Sequence, residues 1–221
     1  MADDILLTPE EQDEKARQWF KDNGLALITG IALGLAAIFG YNQYKAQKQT
    51  DAESASLLFS EIIEQVAESD IIDISDKVAK LKTDYAKTSY AAKAVLVNAA
   101  ELSKTDLTAA IPEYQWVREN SQEIGIQHTA KIRQAKIYLA QGDLDLASSL
   151  ANEKPYDSFA SHYLEILGDV AVQKGDLEQA YDYYDQAREQ LLSTDATYAS
   201  VLGLKMAPLP KPAEEESDDS N

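Results

Sequence analysis

The chain holds 221 residues, with 38 acids against 20 bases for a net charge of −18, and no cysteine. A field of that sign repels nucleic acid and anionic lipid surfaces, so neither is an expected partner. The lack of cysteine excludes disulfides, thiolate metal sites and a cysteine nucleophile, and six prolines and nine glycines among abundant alanine and leucine point to an all-α fold.

Residues 1–8 carry no periodic pattern and read as disordered. Thr8-Pro9-Glu10-Glu11 then has the form of a helix start: Thr8 as N-cap, proline at the first helical position, Glu11 three residues after the cap. The short helix it opens puts Ala16, Trp19 and Phe20 on one face, within an N-terminal segment of residues 1–24. Next comes Leu25 to Tyr44, LALITGIALGLAAIFGYNQY, uncharged throughout and with Thr29 as the only polar side chain up to Gly40. Twenty helical residues span about 30 Å, the thickness of a bilayer's hydrocarbon core. Trp19 and Phe20 before the run and Tyr41 and Tyr44 after it suit the two membrane interfaces.

A cleaved signal peptide would open on a short basic region, whereas seven acids and three bases precede this run and no A-x-A site closes it. A soluble core helix would keep a polar stripe, and this run has none. The reading is a single transmembrane helix over residues 25–44. Lys15, Arg17 and Lys21 before it, against Lys45 and Lys48 after it, place the N-terminus in the cytoplasm. Gly30 and Gly34 form a GxxxG pair, extended backwards by Ala26, that would let a second membrane helix approach closely.

From Asp51 onward the periodicity is helical. Gln141-Gly142-Asp143-Leu144 recurs 33 residues later as Lys174-Gly175-Asp176-Leu177, each followed by an alanine five residues past the glycine, Ala147 and Ala180. A period near 34 with two helices per unit is the tetratricopeptide pattern. In the later copy Leu167-Gly168 precedes the turn, with Tyr184 and Ala187 at packing positions; in the earlier copy Ala135 replaces the glycine and Ala151 the tyrosine. A looser copy lies upstream around Lys104-Thr105-Asp106-Leu107, with Ala110, Tyr114 and Val117 and an insertion expected near 120–125. Residues 52–68 and 75–85 read as a further helix pair, and 197–206 as a closing helix. The domain therefore covers residues 45–206, followed over 207–221 by PLPKP and an acidic tail read as disordered.

The sequence contains no HExxH, GxxxxGK[ST] or GxSxG, so no catalytic site, metal or cofactor is expected. His128 and His162 stand 34 residues apart, a repeat period rather than a ligand spacing, and read as surface or groove residues near the starts of two A helices. In the usual register the concave face falls on Val95, Ala99 and Leu102, then Ile132, Lys136 and Leu139, then His162, Glu165, Asp169 and Val172. An apolar groove with a polar rim suits weak binding of extended chains.

The combination of Trp19-Phe20, Asn23-Gly24, Ala26-Leu27, Gly30, Leu33-Gly34 and Ser54-Ala55-Ser56 with the two glycine-aspartate turns resembles the YfgM family of Gram-negative bacteria, over roughly residues 12–206. The resemblance implies a single-pass inner-membrane protein with a cytoplasmic N-terminus and a periplasmic tetratricopeptide domain. It also implies an ancillary subunit of the SecYEG translocon that works beside the membrane-anchored chaperone PpiD and receives exported polypeptides. The chain departs from the family in its acidic tail and in a longer acidic segment before Thr8. An alternative from another class is a membrane-anchored regulatory adaptor whose segment 1–24 binds a signalling protein.

Overall fold

A computed structural model describes residues 8–68, 73–152, 157–191 and 194–211. Residues 1–7 and 212–221 lie outside these. Of the stretches expected to lack order, 1–8 and 207–221, Thr8 and residues 207–211 are described, with Leu209 N donating to Met206 O at 2.9 Å and Leu209 packed against a buried cluster, because its apolar side chain finds a core to cover. Among the described residues every regular element is helical: α1 (Pro9–Glu68), α2 (Ser75–Asp84), α3 (Ser89–Leu102), α4 (Leu107–Asn120), α5 (Ile124–Gln141), α6 (Leu144–Asn152), α7 (Ala160–Lys174), α8 (Leu177–Leu191) and α9 (Ala196–Met206), with one short 3-10 turn at Asp157–Phe159. The chain divides into two compact units, up to Glu53 and from Ser54 onward.

The capping box forms as its residues require. Thr8 N donates to Glu11 Oε2 at 3.0 Å and Glu11 N to Thr8 Oγ1 at 3.4 Å, satisfying two donors that a helix start leaves free. Past it, the structure replaces three expected helices with one. Asn23-Gly24 does not break α1, because Asn23 Nδ2 turns back onto Trp19 O at 3.0 Å and a lone glycine costs a helix only about 1 kcal/mol. The polar stretch after Tyr44 stays helical through side-chain bonds one turn apart, Gln47 to Asp51 at 2.7 Å and Gln49 to Glu53 at 3.0 Å.

In the second unit consecutive helices pack on one another, and A helices also meet directly, α3 with α5 and α5 with α7. Three buried clusters follow one another along the chain. The first joins Ala55 and Ile62 of α1 to α2, α3, α4 and Ala130 and Ile137 of α5; the second spans α5 to α7; the third spans α7 to α9. Gly142 and Gly175 end α5 and α7 with φ of 82° and 81°, the left-handed conformation that closes a helix at little cost for glycine. The next amides, Asp143 N and Asp176 N, reach back to Tyr138 O and Ala171 O, each at 2.9 Å. The upstream turn has no glycine and manages without one: Ser103 stays at φ −63°, Lys104 N and Thr105 N bond three residues back, and Asp106 caps α4 through Thr108 N and Ala109 N. The insertion expected near 120–125 is absorbed in helix instead, with only residues 121–123 between α4 and the eighteen-residue α5.

Ala110, Ala147 and Ala180, one per hairpin, have no exposed surface. The glycine of the last hairpin is used for close approach. A Cβ on Gly168 would stand 2.5 Å from Tyr184 Cε1, so the ring occupies the space that a side chain would need.

Candidate functional site

Two surfaces carry the residues singled out in the sequence. The first is the apolar run of α1. Every side chain from Leu25 to Tyr44 is exposed, and the helix is long and apolar enough to cross a membrane. Thr29 Oγ1, the one polar side-chain group of its centre, donates to Leu25 O at 2.7 Å, so no hydrogen-bonding group is left to face lipid unpaired. A Cβ on Gly30 or Gly34 would meet nothing within 4 Å. Trp19, Asn23, Ala26, Leu27, Gly30 and Ile31 line a shallow hollow on that face.

The second surface is the concave register of the A helices, and the structure splits it. Val95 and Ala99 have no exposed surface and belong to the first core cluster, so they do not line a groove. Leu102 is half-buried against that same cluster. Ile132 and Leu139 are half-buried beside the second cluster, Lys136 is exposed, and Val172 is 38 % exposed.

The remaining residues converge. Glu165, only 4 % exposed, accepts from Lys136 Nζ at 3.0 Å, Lys205 Nζ at 2.9 Å and Tyr198 Oη at 2.5 Å. Asp169 accepts from Tyr184 Oη and Lys205 Nζ, both at 2.6 Å. His162 lays its ring near that of Tyr198, with centres 5.2 Å apart. Side chains from α5, α7, α8 and α9 thus meet in one charge-compensated cluster.

Burial alone would raise the Glu165 pKa, but the bonds from Tyr198 and Lys205, with the Lys136 charge, outweigh it and hold the carboxyl at about 2. Burial works against the Lys205 charge too, yet the two carboxylates raise its pKa. Burial and then the neighbouring Lys136 lower that of His162. A carboxylate so held is a structural anion: it has no proton to give near neutrality, and its lone pairs are already taken. The charged residues expected at the downstream end of the concave register are therefore paired with one another and with α9.

Tyr198 and Lys205 were not among the expected site residues. Lys205 is the one charged residue of α9, a signal visible in the sequence, but its partner lies 40 positions away. His128 also departs from expectation. It is 8 % exposed, stacked on Phe159 with ring centres 4.9 Å apart, and its Nδ1 lies 2.7 Å from Tyr163 Oη. Burial, then the charge of Lys131, keep its pKa low. It is a core residue, held between α5 and the Phe159 and Tyr163 rings. Among the described residues no group of three or more histidines and carboxylates could hold a metal ion.

A stack of helix hairpins with glycine-aspartate turns, carried on a chain with one long exposed apolar helix, defines a tetratricopeptide-like α-solenoid. The chain belongs to the family described as tetratricopeptide repeat-like domain, whose model matches residues 17–211. It is 25% identical over 181 residues to a Haemophilus influenzae protein named ancillary SecYEG translocon subunit, covering 81% of this chain and 88% of that one. The Escherichia coli K12 protein of the same name is 24% identical over 180 residues, covering 80% and 85%, and that of Aggregatibacter actinomycetemcomitans 23% over 182, covering 81% and 89%. No solved structure matches the chain.

Proposed function

We propose that this protein is a non-enzymatic ancillary subunit of the SecYEG translocon. Residues 25–44 anchor it in the inner membrane with the N-terminus in the cytoplasm. Residues 45–206 stand in the periplasm, bind exported polypeptides weakly and link export to chaperones such as a PpiD-like membrane-anchored partner. The observation that carries this reading is the extent of the likeness: relatives bearing that name align over about four-fifths of the chain and 85–89% of their own length. The half-buried Ile132 and Leu139 with the exposed Val172 offer apolar contacts beside the paired carboxylates. Such contacts are individually weak, and anchoring next to an exit site raises the effective concentration at which they operate.

The test is the full-length chain in its native membrane. Protease added to intact spheroplasts is expected to digest residues 45–221, and gentle solubilisation is expected to recover SecY with the chain. Deletion of residues 1–22 should leave that recovery intact, whereas an adaptor acting through its cytoplasmic segment would lose its partner. Full protection of residues 45–221, or no SecY in the recovered complex, would reverse the proposal.

A further inference from the structure

His162 stands where α7 faces α9 and takes no part in the hydrogen bonds around it. Its half-buried ring lies beside that of Tyr198, with centres 5.2 Å apart and planes at 57°. Tyr198 in turn helps to attach α9: its hydroxyl donates to Glu165 at 2.5 Å and its amide to the capping Asp195 at 2.9 Å. Among the described residues no group bonds to either nitrogen of the His162 ring.

The charges around this ring are balanced before it gains one. Lys136 of α5 and Lys205 of α9 offset Glu165 and Asp169 of α7. Glu165 already accepts three bonds, Asp169 accepts from Tyr184 of α8 and from Lys205, and Asp195 caps α9. A proton on His162 would add a third cation to this cluster, with no acceptor placed to receive its N–H groups. A half-buried imidazolium without a partner is costly. Burial and then the Lys136 charge accordingly hold the pKa of His162 below its ordinary value, against the pull of Glu165 and Asp195. With the folded value lowered, the contribution of the packed neutral ring is present above the unfolded range and is lost as pH falls below it.

α9 is the element that yields. Lys136 is exposed and can swing outward, whereas Tyr198 covers the ring from a helix that must move as a whole to uncover it. We propose that His162 is a pH-sensitive catch for α9, which seats Tyr198 against α7 while its ring is neutral and loosens that seat when the ring takes up a proton. When α9 lifts, Glu165 and Asp169 lose Tyr198 and Lys205 and meet water. Acid thus opens an anionic pair that neutral conditions keep closed. The inference rests on this cluster alone and stands or falls apart from the translocon reading.

The test is hydrogen exchange on the full-length chain in detergent, read as the protection of each amide relative to its intrinsic rate at the same pH. Between about pH 7.5 and about pH 5.5, where an ordinary histidine titrates, protection in α9 is expected to fall severalfold. A single proton limits the fall to about tenfold per pH unit. α2 and α3 keep their protection over the same range. His162 is half-buried and makes no hydrogen bond, so His162→Gln leaves the fold intact, and in that variant α9 is equally protected at both pH values. Protection in α9 that does not change with pH, a loss shared equally by α2 and α3, or a pH dependence that persists in His162→Gln would overturn the proposal.

Discussion

Replacing Gly168 with alanine sets two effects against each other. In a helix interior alanine is favoured over glycine by about 1 kcal/mol. The added Cβ would stand 2.5 Å from Tyr184 Cε1 and 2.6 Å from Cδ1. The ring is not free to yield: its hydroxyl donates to Asp169 at 2.6 Å, and Lys205 Nζ sits over its face, 5.4 Å from the centre. Overpacking of this kind costs about 1–3 kcal/mol, so the expected net result is destabilisation by roughly 1 kcal/mol. Tyr184→Ala alone empties a buried ring position and costs about 3–5 kcal/mol. The double variant recreates the combination that the preceding hairpin carries at the same register, Ala135 and Ala151, both buried. Its alanine meets no ring, so the double should be less destabilised than the sum of the singles by roughly the 1–3 kcal/mol of the clash. Urea unfolding followed by helical circular dichroism, on the wild type and the three variants, reads all four corners. A Gly168→Ala variant more stable than wild type, or singles that simply add, would refute the notch.

Ala180 has no exposed surface, so Ala180→Leu should cost about 1–3 kcal/mol; hydrogen exchange should quicken in α7 and α8 while Leu57 to Val66 keep their protection, and uniform unfolding would count against the repeat register. Glu165 has a folded-state pKa of about 2, below the ordinary carboxylate range, so its contribution is present above that range and is lost as pH falls toward 2. Glu165→Gln should therefore be less stable than wild type near neutrality, with the gap closing in acid; a gap independent of pH would show that the charge is not what matters. Replacing Gly30 and Gly34 with leucine should leave insertion intact, since leucine is more apolar, and weaken recovery of membrane partners. Undiminished recovery would mark that face as lipid-facing.

Local chemistry made much of this molecule readable in one dimension. The capping box at Thr8, the uncharged run from Leu25, the paired glycine-aspartate turns and the buried alanines at 147 and 180 each depend on residues within about one turn or one repeat. Their physics, whether capping, burial in lipid or left-handed backbone, acts at that range. Where helices stop was less legible. The sequence suggests a short N-terminal helix separate from the helix over 25–44, but α1 runs through both, since one glycine costs too little to break a helix whose neighbours bond across it. The insertion expected near 120–125 leaves only residues 121–123 outside helix, and the extra length is carried by the eighteen-residue α5. The fate of the concave register was decided by tertiary structure alone. Val95 and Ala99 occupy groove positions in the repeat, yet they are fully buried within the first core cluster. Glu165 and Asp169 fall on the concave register, and only the fold shows that α9 brings Lys205 and Tyr198 onto them, across more than thirty positions. Periodicity assigns a side chain to a face of its own helix; only the packing of other helices decides whether that face meets water, a core or a counter-charge.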